Sequence, residues 1–313
     1  MAVIAIDMGG TRIKFGIIGD GGNIISLSTL EATPNESIEK NLSSISQNIT
    51  TLLSEKNISR SQLKAIGISV PGIVNDNNRV VSRYVKYTDA NDFDFNVWAK
   101  NEWGLPIAVE NDARAALIGE WKYGAGKGYN DIAQLTLGTG VGSAVLSEGR
   151  LYKGRHFLAG SLTGHISINY DGDPCNCGFF GCLETEASTW ALPGIAARHV
   201  LFNKSSLSKI EKPEFIHLFE EADKGDELAN ILLQRCLKAW GTCVVNIVHS
   251  HDPELIIIGG GIMKQQSKIL PFLQQMTDEY AWLPAGTIKI VAAQQIVYAG
   301  LLGMEYLAHS LIK

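Results

Sequence analysis

The chain has 313 residues, of which 45% are hydrophobic and 19% are charged, and its formal net charge is −5. This length suits one large domain or two medium domains with a full hydrophobic core. The acidic balance gives no basic face for nucleic acid, and no apolar run approaches the ~18 residues that span a bilayer. The N-terminus lacks the charged region of a signal peptide, and the cysteines fit a reducing compartment, so we expect a cytoplasmic protein.

Strands and helices alternate over the first part of the chain. A glycine-rich turn at 19–22 joins two strands as a hairpin, and Pro71-Gly72 ends a later strand. The predicted strands are 3–7, 13–19, 23–30, 65–70 and 106–110, and the predicted helices are 36–55 and 113–123.

The opening pattern of strand, glycine turn and hairpin returns about 129 residues later, over 131–152. This shift places Gly9 on Gly138 and the turn at 19–22 on Ser147–Arg150. Any α/β protein has glycine turns, but the matching order over about twenty residues favours a duplicated fold. We therefore predict two similar α/β domains around a cleft.

The remainder of the chain is predicted to be rich in helix. It contains a helix at 226–250, a strand at 254–262 that enters a triple-glycine turn, a strand at 288–293 and a final helix at 299–312. No low-complexity linker marks a boundary, so we place the hinge in short connections. The predicted domains are a smaller one, 1–112 plus 296–313, and a larger one, 113–295.

Three glycine turns follow predicted strands. Glycine lets backbone N–H groups approach anionic oxygens closely, as in loops that hold phosphate. None of the turns has the glycine spacing of a dinucleotide-binding fingerprint, and no Walker lysine is present. One such turn is usually only a turn, but three at strand ends favour a bound nucleotide. The turn residues are Gly9, Gly10 and Thr11; Gly138, Thr139 and Gly140; and Gly259, Gly260 and Gly261.

One loop contains a histidine and three of the five cysteines of the chain, at His165, Cys175, Cys177 and Cys182. An imidazole and three thiolates form a tetrahedral shell for Zn²⁺, and four protein ligands leave no open position for catalysis. The alternative is a chance grouping of thiols beside an unrelated histidine. The close spacing of the cysteines favours a structural zinc ion.

The same loop resembles a known family signature. Gly-His-Ile at 164–166, followed by Cys-x-Cys-Gly-x-x-Gly-Cys-x-Glu at 175–184, is similar to the signature of the ROK family of sugar kinases and sugar-responsive repressors. The resemblance implies the actin-like (ribonuclease H-like) ATPase fold, a homodimer, and ATP-dependent phosphorylation of a hexose or hexosamine, at the 6-hydroxyl. It also implies that the first two glycine turns hold the β- and γ-phosphates and that the third lines the adenosine pocket.

The resemblance assigns roles to further residues. Asp7 would help to hold Mg²⁺ through water, and Lys14 would either add charge to the phosphate region or be solvated. Asp112 would be the general base that accepts the proton of the attacking hydroxyl. The implied sugar-binding residues are Gly72, Asn111, Asp112, His165 and Glu184. Without the resemblance, Asn-Asp before a helix is most often an N-cap, and that alternative stays open.

One position departs from the family pattern. Family kinases usually carry a glutamate three residues before the motif histidine, and this chain has Leu162 there. Leucine cannot accept a hydrogen bond, so we expect weak use of plain glucose, unless Ser161, Thr163 or a water molecule replaces the acceptor.

Two functions other than that of a kinase are alternatives for this chain. A catalytically silent sugar sensor is suggested only by Leu162. A transcriptional repressor of the same family would need a DNA-binding domain ahead of the strand that starts at Val3.

We also expect that loss of zinc weakens sugar binding more than ATP binding, because the phosphate turns lie elsewhere in the sequence.

Overall fold

The computed structural model describes residues 1–33, 36–84, 91, 93–284 and 286–312. The chain forms two compact units. The first contains Met1–Gly128, Lys153–Ala159 and Val297–Lys313, and the second contains Tyr129–Tyr152 and Gly160–Ile296. These units group 113–128 with the N-terminal residues, whereas the sequence prediction divides the chain after 112; the functional domain boundaries stay a prediction.

The regular elements are as follows. The strands are β1 (Ala2–Met8), β2 (Arg12–Gly19), β3 (Asn23–Glu31), β4 (Leu63–Val70), β5 (Gly72–Asn75), β6 (Val80–Tyr84), β7 (Ile107–Asn111), β8 (Ile132–Leu137), β9 (Val141–Ser147), β10 (Arg150–Leu151), β11 (Leu255–Gly259) and β12 (Lys289–Ala292). The helices are α1 (Ile38–Glu55), α2 (Phe95–Trp103), α3 (Asp112–Tyr123), α4 (Leu183–Ala187), α5 (Leu192–Ala197), α6 (Phe215–Asp223), α7 (Glu227–His251), α8 (Gln266–Tyr280) and α9 (Ala299–Ser310).

The two units have sheets of the same design. The first sheet has the strand order β3-β2-β1-β4-β7, and the second has the order β10-β9-β8-β11-β12. In each sheet the first hairpin is antiparallel, and two later strands run parallel to the opening strand. This correspondence agrees with the predicted duplication and aligns β1 with β8.

Close helix packing in the first unit sets the position of α3. A β-carbon at Gly303 of α9 would lie 1.8 Å from the carbonyl oxygen of Ala115, and one at Gly119 would lie 2.0 Å from that of Ala299. These glycines let the backbones of α3 and α9 approach within a distance that no side chain permits. Helix α3, which begins with Asp112, is thereby held against α9, and α9 in turn packs on β1 and β4.

The long helix α7 is the core helix of the second unit. By length and composition it is the one described helix able to cross a membrane, but 67% of its apolar window is buried in the structure. Trp240, on the inner face of α7, is fully buried, and its indole Nε1–H donates to the carbonyl oxygen of Ala187 at 2.9 Å. The apolar residues of α7 thus serve the packing of this unit.

Candidate functional site

Asp7 lies near the end of β1 and is held by neighbours on three elements. Its Oδ1 accepts a hydrogen bond from the Ser69 hydroxyl at 2.7 Å, and its Oδ2 lies 3.7 Å from Lys14 Nζ. A β-carbon at Gly300 would come within 3.0 Å of the carboxyl carbon, so a side chain there would crowd the Asp7 carboxylate. The Asp7 side chain is 18% exposed, which leaves the carboxylate accessible to a hydrated cation.

The first glycine turn follows Asp7 directly. The N–H of Gly9 donates to the carbonyl oxygen of Asp7 at 3.1 Å, and a β-carbon at Gly9 would lie 2.6 Å from the Arg12 carbonyl oxygen. Gly10 is half-buried and Thr11 is exposed. The turn therefore presents its backbone at the end of the strand, beside the Asp7 carboxylate.

Asn111 and Asp112 lie where β7 ends and α3 begins. The Asn111 side-chain oxygen accepts from the N–H groups of Ala113 and Arg114 at 3.1 and 3.2 Å, so Asn111 is the N-cap of α3. Its amide nitrogen donates to the Gly72 carbonyl oxygen and to Asp112 Oδ1, both at 3.0 Å. Asp112 is the first residue of α3, where the helix dipole favours a negative charge.

The interpretation of Asn111 as a helix cap is therefore compatible with the interpretation of Asp112 as the general base. Asn111 caps the helix, and the same side chain orients the carboxylate of Asp112. Gly72 has φ 139°, a backbone conformation that favours glycine, and its carbonyl oxygen holds the Asn111 amide.

Sequence reasoning missed a buried ion-pair network behind this pair. Glu110 is 1% exposed, and its Oε1 accepts from the Asn111 N–H at 2.9 Å. Lys153 Nζ lies 2.6 Å from Glu110 Oε2 and 2.7 Å from Asp76 Oδ2. Arg114 NH1 lies 3.7 Å from Glu110 Oε1; burial lowers the pKa of Arg114, and Glu110 acts in the opposite direction. The pairs of Lys153 join residues far apart in the chain, so no local sequence pattern signals them, whereas Arg114 lies only four residues after Glu110.

The second glycine turn, Gly138–Gly140, contacts a residue that was expected only at the sugar. The N–H of Val141 donates to Glu184 Oε2 at 2.8 Å, and the Trp190 indole N–H donates to Glu184 Oε1 at 3.1 Å. A β-carbon at Gly140 would lie 2.5 Å from Glu184 Oε2. The expectation that loss of zinc weakens sugar binding more than ATP binding stays a prediction, and these contacts place the second glycine turn beside a residue of the metal loop.

The third turn packs beside the second at the same edge of the sheet. Gly259 ends β11, and Gly260 has φ 98°. A β-carbon at Gly260 would lie 2.0 Å from the carbonyl oxygen of Leu137, the residue before Gly138. Apart from the chain neighbours and the backbone of its own helical turn, no heavy atom of the described residues lies within 4 Å of a β-carbon built at Gly261. Two of the three predicted glycine turns are thus brought together.

The four predicted metal ligands lie together in the second unit. Their ligand atoms all lie within 4.8 Å of one another. Cys175 Sγ is 3.6 Å from His165 Nδ1, and Cys177 Sγ is 3.7 Å from Cys182 Sγ. A tetrahedron with Zn–S bonds of about 2.3 Å has edges of about 3.8 Å. The donor set and its spacing therefore fit a zinc ion.

Two of the three thiols of the cluster are buried, and a glycine lets the loop turn around them. Cys175 and Cys182 are buried, and burial raises the pKa of both thiols. A bound cation would displace their protons, because the thiolate is the ligand. Gly181 has φ 61°, and a β-carbon there would lie 1.6 Å from the Asn169 carbonyl oxygen. Only glycine allows the loop to turn at this point.

Leu162 lies immediately before the short 3-10 turn that contains His165, and it is 38% exposed. The neighbouring Thr163 is buried, and its N–H donates to the Ser143 hydroxyl at 3.0 Å. Ser161 is half-buried and is thus the more accessible of the two neighbouring hydroxyls.

Comparison with known proteins shows which protein family this chain is similar to. The sequence pattern of the ROK family matches residues 3–311. A glucokinase from Thermotoga maritima is 30% identical over 320 residues, which cover 100% of this chain and 98% of that protein.

Solved structures show the same architecture over the whole chain. The ROK hexokinase from Thermus thermophilus is 26% identical, with a TM-score of 0.83 and 100% of both chains covered. The ROK family glucokinase from Streptomyces griseus, solved with glucose and AMPPNP, is 29% identical, with a TM-score of 0.78 over 99% of this chain and 100% of that one. The fold is therefore that of the actin-like (ribonuclease H-like) ATPases. Within that class, the chain belongs to the ROK family.

Proposed function

We propose that this protein is an ATP-dependent sugar kinase that transfers the γ-phosphoryl group to a hexose or hexosamine, at O6. Family membership and the glucokinase and hexokinase relatives support this class of phosphotransferase. The observation that carries the proposal is the fixed carboxylate of Asp112 at the N-terminus of α3. A kinase needs such a group to accept the proton of the attacking hydroxyl.

Asn111 prepares Asp112 for this role. An asparagine side chain offers two donor hydrogens and two acceptor lone pairs. In Asn111 the oxygen accepts from two backbone N–H groups, and the nitrogen donates to Gly72 and Asp112. A direct contact of Asn111 with the sugar requires one of these bonds to be exchanged, whereas its hold on Asp112 needs no rearrangement.

The nucleotide is proposed to bind at the glycine turns. The first two turns would meet the β- and γ-phosphates and the third the adenosine, because close backbone approach at strand ends suits anionic oxygens. Asp7 would hold Mg²⁺ through water, and the ion would neutralise charge on the phosphates. Lys14 Nζ already lies 3.7 Å from Asp7 and donates to the Val297 carbonyl oxygen, so it is positioned beside this carboxylate.

A structural zinc ion is proposed at His165, Cys175, Cys177 and Cys182. The Nδ1 atom of His165 faces the cysteines, which leaves Nε2 for a hydrogen bond to the sugar. Glu184 is proposed as a second sugar contact on the family resemblance, which also supports a cytoplasmic homodimer.

ADP release measured with a panel of sugars tests the proposed function. The panel contains glucose, mannose, fructose, allose, N-acetylglucosamine and N-acetylmannosamine. We expect at least one sugar to raise ADP release well above the sugar-free rate. A protein that binds a sugar but releases ADP with none of them would be a sensor, and the kinase proposal would fail.

A further inference from the structure

Glu184 is bonded to the protein through both carboxylate oxygens. It lies two residues after the metal-cluster residue Cys182, and it accepts from the Val141 N–H and from the Trp190 indole N–H. Hydrogen bonds to a carboxylate are stronger than those between neutral groups. Glu184 therefore connects the metal loop to the first residue after the second glycine turn.

The segment that follows Glu184 contacts the rest of the same turn. The N–H of Thr189 donates to the Gly138 carbonyl oxygen at 3.0 Å, and the N–H of Trp190 donates to the Thr139 carbonyl oxygen at 3.2 Å. A β-carbon at residue 140 would come within 2.5 Å of the Glu184 carboxylate, so a side chain there would displace this carboxylate.

The first residues of the metal loop contact β9, the strand that follows the second glycine turn. The Thr163 N–H donates to the Ser143 hydroxyl at 3.0 Å, and a β-carbon at Gly164 would lie 2.3 Å from the Val141 carbonyl oxygen. Thr163 and Gly164 immediately precede His165, the first residue of the metal cluster. The loop thus meets the start of β9 from both ends.

We propose that Glu184 and Trp190 are positioning residues that brace the second glycine turn, so that the metal cluster sets the geometry of the phosphate site as well as that of the sugar loop. This inference rests on the proposed function in one respect, the assignment of the turn to nucleotide phosphates. The brace holds the backbone of 138–141 in one conformation before ATP arrives, and a pre-organised loop loses less entropy on binding.

Trp190→Phe tests the brace, because it removes the indole donor to Glu184 and keeps an aromatic ring. The matched control is Trp282→Phe, since Trp282 is 88% exposed in the same unit. We expect Trp190→Phe to weaken the affinity for a non-hydrolysable ATP analogue, measured without sugar, by about 3- to 10-fold, the effect of one lost hydrogen bond. Sugar affinity measured without nucleotide should fall by no more than the analogue affinity does, and the control should change neither affinity.

Two further variants keep the proposal testable if Trp190→Phe folds poorly. Glu184→Gln loses one acceptor and should weaken analogue binding to a similar extent, and Cys177→Ser should weaken it by loosening the loop. Unchanged analogue affinity in well-folded Trp190→Phe or Glu184→Gln, or a loss confined to sugar affinity, would overturn the brace. These binding measurements need no phosphoryl transfer. If the wild-type protein phosphorylated no sugar, the proposed function would fail, and this failure can be distinguished from failure of the brace.

Discussion

The two units have the same strand order, but they hold their functional groups by different means. In the first unit, the ends of β1 and β7 carry the carboxylates of Asp7 and Asp112, which side-chain hydrogen bonds and ion pairs fix in place. In the second unit, the strand β8 that corresponds to β1 leads into the turn at 138–140, and a cysteine-rich loop holds that turn. The two sheets share one strand order, but their functional groups are supported by different contacts.

The physical reason for the difference lies in burial. Glu110 is buried in the first unit, and a buried carboxylate is tolerated only with partners such as Lys153 and Arg114. Residues 163–182 of the second unit form a loop without long helices or strands, and such a loop gains order from a metal ion. One unit is thus predicted to respond to loss of a charge, and the other to loss of a metal.

Asp112→Asn should have the largest effect, and it concerns only the first unit. We expect turnover to fall at least ~10²-fold, the usual scale for a general base. Folding and nucleotide affinity should be retained, because Asn can still accept from the Ala113 N–H that now bonds to Asp112 at 2.8 Å. Steady-state kinetics on the best sugar, with calorimetry for the nucleotide, checks this; turnover near the wild-type value would mean that Asp112 is not the base.

Loss of the metal should impair ligand binding by the second unit and leave the first unit unchanged. The purified protein should contain about one zinc ion per chain, measured by elemental analysis. Cys177→Ser should lower sugar affinity by about 10- to 100-fold and ATP affinity by less, because ligands and their supporting contacts act together. The control is Cys243→Ala, a buried cysteine of α7 outside the cluster, which should keep its zinc. Active, freshly prepared protein without zinc would refute the metal assignment.

Leu162 concerns specificity within the second unit. A hydroxyl buried against leucine without a partner costs roughly 1–3 kcal/mol, so we expect weak use of plain glucose and better use of a hexose altered at C1 or C2. Leu162→Glu should move the kcat/KM ratio toward glucose, and Val200→Glu, at an exposed position of the same unit, should leave it unchanged. If glucose is already the best substrate and the glutamate variant does not shift the ratio, position 162 does not set specificity.

Lys153→Met should give the smallest effect and should be confined to the first unit. It leaves Glu110 with Arg114 as its only remaining cation among the described ion pairs, so we expect a loss of about 1–2 kcal/mol in the free energy of unfolding. Lys40→Met removes an exposed ion pair with Glu36 and should cost less than about 0.5 kcal/mol. Urea unfolding compares the two variants, and equal losses would show that the buried network has no special role.

The sequence predicted those features that depend on local patterns. Apolar strands followed by glycine turns, and the spacing of the cysteines, are visible within short windows, and the structure has strands and a ligand cluster at those places. The predicted strand at 254–262 was too long, because β11 ends at Gly259 and Gly260 has φ 98°.

Several elements were missed for identifiable reasons. Helix α8 contains Pro271, which normally argues against a helix interior. Helix α2 was missed although Asp94 caps its start and Gly104, with φ 67°, ends it, and these two signals were present in the sequence. The contacts of Lys153 with Glu110 and of Glu184 with Val141 join distant segments, so only the folded chain reveals them.

Identification of the product tests the central claim most directly. The protein is incubated with ATP and its best sugar, ADP is quantified, and the phosphorylated position is located by nuclear magnetic resonance. We predict one sugar 6-phosphate for each ADP, and initial rates of both products that are at least ~10²-fold lower with Asp112→Asn. ADP without a sugar phosphate, or the same yield from the variant, would contradict phosphoryl transfer to a sugar with Asp112 as the base.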